Sequence, residues 1–192
     1  MTKPSANVRE FEGHTIPAAG TFTLDPAHTT VGFVVRHLMV SKVRGSFRTA
    51  TGTVVVAEDP YASTVAVDID VTSIDTGVGD RDAHLRSGDF LNVEQYPRMT
   101  FSSTRILDVK DTTFKLAGDL TIRNVTREVV LTVEFEGVAV SPWGQEVAAF
   151  SASTEIDREE FGITWNQALE AGGFAVGKTV KIEISAEVIR QA

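Results

Sequence analysis

The sequence predicts an all-β protein, an extended antiparallel barrel of about eight strands with one short helical excursion near residues 80–91. Three observations predict it. Apolar residues recur with a period of two through most of the chain, the mark of strands with one dry and one wet face. Turn-forming residues separate these runs at Asp59-Pro60, Asn124, Gly137 and Ser141-Pro142-Trp143-Gly144. A single stretch, from Ser73 to Phe101, breaks the alternation and reads as helix and loop.

In chain order, residues 1–19 are polar, with Pro4, Gly13 and Pro17, and read as a flexible arm ahead of one barrel domain over 20–192. Val31, Phe33, Val35 and His37 share one strand face. Val65, Val67, Ile69 and Val71 share another. Asp80 is the expected cap of a short helix through Leu85, with Asp82 in its first turn. Beyond it, Phe114, Leu116, Gly118, Leu120 and Ile122 share a face, against Lys115, Ala117, Asp119 and Thr121. So do Val129, Leu131, Val133 and Phe135, and finally Val180, Ile182, Ile184, Ala186 and Val188. Weaker strands are expected at Thr21–Leu24, Ser41–Phe47, Thr51–Val56, Met99–Val109 and Val147–Ile156. So many antiparallel strands must dispose of their edges, and closure into a barrel does so; a two-sheet sandwich is the alternative. The inward sets are aliphatic residues and Phe, so a cavity among them is dry and suits an apolar guest.

Composition narrows the function. The formal net charge is −8, which argues against nucleic acid, whose phosphates require clustered Lys and Arg. Without cysteine there are no disulfides, thiolate metal sites or cysteine nucleophiles. No window reaches the roughly 18 apolar residues of a membrane span, and the first 20 residues lack the apolar core of a secretory signal. A cytoplasmic protein is therefore expected.

The motifs that suggest other chemistry are weak. Gly172 to Thr179 fits the phosphate-loop spacing, but that loop needs a helix after it, and here a two-period strand follows. His14, His28, His37 and His84 lack zinc spacing. His84 stands near Asp75, Asp80, Asp82 and Asp89, which are read as capping and tying a loop, with Arg81 and Arg86 balancing the acids; no metal is expected. Asp157 to Glu160 reads as a solvated turn, Asn124-Val125-Thr126 as a turn, and no nucleophile elbow is present.

Taken in order, several segments resemble the YceI-like polyisoprenoid-binding family. They are Leu24-Asp25-Pro26-Ala27-His28-Thr29, Ser73-Ile74-Asp75-Thr76-Gly77, His84-Leu85-Arg86-Ser87, Asp89-Phe90-Leu91, Tyr96-Pro97, Gly118-Asp119-Leu120-Thr121-Ile122, Arg158 and Phe161-Gly162-Ile163. Thr29 stands where the family usually has Ser, and Asn124 where it usually has Gly; Asn and Gly can both adopt the positive φ of a tight turn. The resemblance implies a lipocalin-like extended barrel that binds, stores or carries a long-chain isoprenoid lipid, with homodimers common.

The resulting expectation is a non-enzymatic lipid container. It needs no cofactor and takes a polyisoprenoid or prenyl quinone as ligand, with no nucleic acid partner, no membrane span and a homodimer as a possible assembly. Its cavity lining is expected from Phe33, Val35, Val67, Ile69, Phe101, Leu116, Leu120, Leu131, Val133, Ile182 and Ile184. Two alternatives are an enzyme acting on the lipid headgroup through His84, Asp89 or Arg158, and a solid-cored barrel used for interaction, against which the short inward residues Gly118 and Ala186 lean.

Overall fold

A computed structural model describes residues 6–170 and 172–192; residues 1–5 of the expected arm lie outside that range. Two short strands, β1 (Val8–Phe11) and β2 (His14–Pro17), form a hairpin where the sequence reads only as an arm. The barrel follows as β3 (Gly20–Leu24), β4 (Thr30–His37), β5 (Ser41–Phe47), β6 (Ala50–Val56), β7 (Thr64–Asp70) and β8 (Ile74–Asp75). After helix α1 (Gly79–Arg86) come β9 (Arg98–Lys110), β10 (Thr113–Ile122), β11 (Val125–Val140), β12 (Glu146–Asp157) and β13 (Val176–Arg190).

Closure is antiparallel throughout. The circuit runs β3, β6, β7, β9, β10, β11, β12, β13 and back to β3, eight staves in all. Strands β4, β5 and β8 prolong β3, β6 and β7 lengthwise, so β13 pairs first with β4 and then with β3 on the same edge. This closed ladder excludes the two-sheet sandwich. Turns 57–63, 111–112 and 141–145, together with the β1–β2 hairpin, gather at one end, the arm end. The β4–β5 turn, α1, and segments 87–97 and 158–175 gather at the other, the helix end.

Most expected strands are present with longer bounds, because ladder pairing carries them past the point where alternation fades. Three local expectations are corrected. Asp80 is not the helix cap: Val78 holds that position without a side-chain bond. Buried Asp82 instead accepts from the Thr76 N–H at 2.9 Å and from its hydroxyl at 2.6 Å, fastening the entering loop. Arg81 and Arg86 chiefly hold backbone rather than the acids, although the Arg86 charge helps to lower the Asp75 pKa, after the Gly77 N–H and Arg48. They donate to the carbonyls of Thr76, Thr72 and Ile74, which the helical excursion would otherwise leave without donors. At the β10–β11 turn the positive φ, 57°, falls on Arg123 rather than on Asn124.

The 25–29 loop, where β13 changes partner, is held by side chains. The Thr29 hydroxyl donates to the Glu187 carbonyl at 3.3 Å and accepts from its N–H at 3.2 Å, a role Ser would fill equally. His28 Nδ1 meets Asp25 Oδ2 at 2.8 Å, and Asp25 also accepts from the Ala27 N–H. This hydrogen bond, with the charges of Asp25 and Glu187, raises the His28 pKa above its ordinary 6.5. The same bond lowers Asp25 below 3.8. The pair's contribution is therefore fully present between those two values. It is lost as pH falls through the folded value of Asp25, or rises through that of His28. In an NMR titration His28 should titrate above 6.5, and Asp25→Asn should return it toward that value; a His28 unaffected by Asp25→Asn would refute the pairing.

Candidate ligand cavity

The inward faces of all eight staves enclose one cavity of about 390 Å³ that runs between the two ends, within the roughly 300–1,000 Å³ of small-molecule sites. All eleven positions expected from the alternation line it. So do further residues of the same faces outside that set, among them Val31, Val65, Val129, Phe135, Ala186 and Val188. The barrel is therefore not solid-cored.

Two glycines set the shape of the wall. Phe33 faces Gly45 directly across the β4–β5 ladder, and a Cβ on Gly45 would fall 2.4 Å from the Phe33 ring. On β10, a Cβ on Gly118 would fall 2.5 Å from the Phe101 ring and 2.7 Å from the Ser102 carbonyl. In both places the ring lies on a neighbouring strand where a side chain is missing. An inward glycine thus does not itself leave a void, contrary to the simple reading of Gly118; it provides the berth in which an aromatic ring lies along the wall.

The ends carry the polarity. At the arm end the β1–β2 hairpin contributes Phe11, His14, Ile16 and Pro17 to the wall, with Phe11 edge-on to Tyr61 at 5.9 Å. Arg9 holds the hairpin by donating to the carbonyls of Ala57 and Glu58. Asn7 N–H reaches Glu146 at 2.7 Å, and Glu146 in turn pairs with Arg190 at 2.6 Å in a nearly buried contact. Nothing in the alternation marks this hairpin, since each strand has four residues.

At the helix end Arg158 is 4% exposed and lines the cavity. Its guanidinium donates to the carbonyls of Ile163 (2.6 Å), Gly177 (2.9 Å), Trp165 (3.0 Å) and Val176 (3.4 Å). That engages four of its five N–H groups. Burial pushes its pKa down, while the carboxylates of Glu159 and Asp157 push it back up. His84 Nε2 meets Asp89 Oδ2 at 2.9 Å, and the ring packs edge-on against Phe90 and Trp165 at 5.0 and 4.7 Å. The structure thus brings His84 and Asp89 together and ties Arg158 to backbone. All three fasten the two segments that close this end.

The other acids near His84 disperse: Asp75 pairs with Arg48 and Asp82 with Thr76. Among the described residues one group, Asp25, His28 and Glu187, lies close enough to share a cation. Its imidazole Nδ1 is already in the Asp25 hydrogen bond. Lys178, the lysine of the phosphate-loop spacing, pairs with Glu159 at 2.7 Å inside the start of β13. Among the described residues no helix is long and apolar enough to cross a membrane.

Comparison with known proteins places this geometry. The YceI-like domain matches residues 22–188. A UPF0312 protein of Staphylococcus epidermidis is 42% identical over 171 residues, covering 86% of this chain and 95% of that one. The solved structure of Burkholderia cenocepacia BcnA superposes with a TM-score of 0.75 at 20% identity, over 85% of this chain and 98% of that one. A polyisoprenoid binding domain from Saccharophagus degradans, implicated in plant cell wall breakdown, superposes with a TM-score of 0.68 at 13% identity, over 88% and 98% of the two chains.

Two substitutions check the wall and its end. Gly118→Ala should force the Phe101 ring inward against a backbone that cannot yield, destabilising the fold by about 1–3 kcal/mol and reducing the lumen. Retained stability together with an unshrunken lumen in a crystal structure would contradict the berth. Arg158→Met leaves four carbonyls without donors and should cost about 3–5 kcal/mol. That corresponds to a fall in Tm of about 6–20 °C by calorimetry.

Proposed function

The chain belongs to the YceI-like family, and from that premise we propose that its barrel holds a long apolar lipid, an isoprenoid chain such as the tail of a prenyl quinone, without chemically altering it. The observation that carries this reading is the lumen: one continuous cavity whose wall is aliphatic and aromatic, with charge confined to its ends at Asp111 and Arg158. The Saccharophagus degradans domain, named for polyisoprenoid binding, supports the class of guest.

Energetics favour a long chain. An isoprene unit of about five carbons contributes about 4 kcal/mol on burial, at about 0.8 kcal/mol per CH₂. Association costs about 4–15 kcal/mol, so one unit cannot hold the complex together and several can. Affinity then rises with tail length until the cavity is full, and the headgroup needs no dedicated polar partner. A container of this kind needs no cofactor. His84, Asp89 and Arg158, the groups a headgroup enzyme would use, are already engaged in closing one end.

Native mass spectrometry of the purified protein, followed by organic extraction, tests the reading. A stoichiometric adduct that extracts as a prenyl chain is expected, with tighter uptake of longer prenyl quinones than of shorter ones. A clean apo mass with no uptake of an added long prenyl quinone would overturn it. Phe33→Asp places a carboxylate in the dry wall and should reduce retention about tenfold or more. A folded Phe33→Asp protein with unchanged lipid content would remove Phe33 from the binding surface.

A further inference from the structure

The β4–β5 turn carries residues that neither packing nor turn chemistry explains. Leu38 and Met39 have φ of 52° and 64°, and the Val40 N–H bonds back to the His37 carbonyl at 3.2 Å. This is the mirror-image tight turn that Asn-Gly fills without strain. Two bulky apolar residues instead hold left-handed conformations that cost about 1–2 kcal/mol each. They also point outward: Leu38, Met39 and Val40 are 42%, 53% and 81% exposed.

A second loop joins them. The Leu38 N–H bonds the Ala175 carbonyl at 2.9 Å, a Cβ on Gly173 would sit 3.2 Å from Met39 Cγ, and Phe174 is 51% exposed. The four side chains form one apolar prominence at the helix end, beside cavity-lining Val35 and Val176. Its collar is basic. Arg36 and Lys42 face each other directly across the ladder, a like-charge pairing that is unfavourable in isolation. Among the described residues no carboxylate pairs with either one. No acid occurs from Arg36 to Arg44, in a chain of net charge −8. The arm end also exposes an aromatic, Trp143 at 84%, with exposed Glu10, Glu12, Asp59, Asp108 and Asp111 on the turns and strand ends there. The helix end has exposed acids too, Asp80, Asp89, Glu94, Glu160 and Glu170, so the basic collar is local to the β4–β5 hairpin.

We propose that this prominence docks the barrel on an anionic bilayer, with Leu38, Met39, Val40 and Phe174 entering the interface and Arg36 and Lys42 meeting the headgroup charges. Apolar tips with basic collars bind such surfaces through burial plus electrostatic attraction. The proposal rests on the lipid-container reading, since docking by the end next to Val35 and Val176 brings the cavity to the membrane that supplies its guest.

The test is co-sedimentation of the full chain with vesicles of equal parts phosphatidylglycerol and phosphatidylcholine, against pure phosphatidylcholine, with no isoprenoid present. Binding to the anionic vesicles is expected, weakening with salt. Leu38→Asn with Met39→Gly installs the favoured turn, so it should keep or raise Tm while reducing binding at least tenfold. Arg36→Gln with Lys42→Gln should reduce binding about tenfold and flatten the salt dependence; Trp143→Ala should change nothing. No vesicle binding, or equal binding by the turn variant, would overturn the proposal; the first result would leave the prominence to a protein partner. Prenyl-quinone uptake from detergent is measured separately on the same proteins. Docking without uptake would sink the container reading alone, and uptake without docking would sink only this proposal.

Discussion

The structure depends on the two-sided pairing of β13. One edge runs against β12 through eleven consecutive residue pairs, Val147↔Ile189 to Asp157↔Thr179. The other edge takes β4 and then β3 in succession. With the circuit closed, the staves satisfy one another's backbone groups in the ladder, and no stave is left as an open edge along the circuit. The interior is then relieved of any polar duty. A sheet left open would have to bury its apolar face against a second layer; a closed one can enclose space.

How much space remains is decided by where rings rest. Phe33 and Phe101 are large enough to obstruct an eight-stranded lumen. Each lies over a glycine on a neighbouring strand, Gly45 and Gly118, so that their bulk serves as wall. The ends are then closed by different physics. The arm end relies on Arg9, Asn7 and the Glu146–Arg190 pair to bind a hairpin down. The helix end relies on one buried guanidinium that gathers four carbonyls, and on the His84, Phe90 and Trp165 rings packed beside it.

The sequence made the wall legible and left the ends obscure, for a physical reason. A stave repeats its environment every second residue, so Leu116, Leu120, Leu131, Val133, Ile182 and Ile184 announce their face through neighbours that share it. Closures are built from single contacts made once. That Asp82 rather than Asp80 fastens the helix entrance depends on where Thr76 lies in space. That Arg158 gathers carbonyls rather than a headgroup depends on segments up to nineteen positions away along the chain. Gly118 shows the same limit within the wall: its inward phase was readable, but the ring that covers it comes from another strand. The left-handed residue of the β10–β11 turn falls on Arg123, because ladder register, rather than the residue best suited to that conformation, fixes where the chain reverses.

A wall of continuous ladder also constrains how any guest moves. Passage between staves would break several hydrogen bonds at once, so exchange is confined to the ends. At the arm end the plug is tied to three different strands or loops through charged contacts that must be undone together. At the helix end the ladder itself thins. β8 pairs with β5 only at Ser46 and Phe47, so among the described residues Ser41 to Gly45 have ladder partners on the β4 side alone. Phe33 pairs with Gly45 at the inner end of that stretch, its ring 5.9 Å from that of Phe47 just beyond it, and the exposed Leu38–Val40 turn stands at its tip. The part of the barrel with fewest ladder bonds to break is thus also the part whose tip exposes Leu38, Met39 and Val40 above Arg36 and Lys42. A lipid guest held in so dry a lumen would be exchanged most readily at such a place, because its transfer there could avoid passage through water.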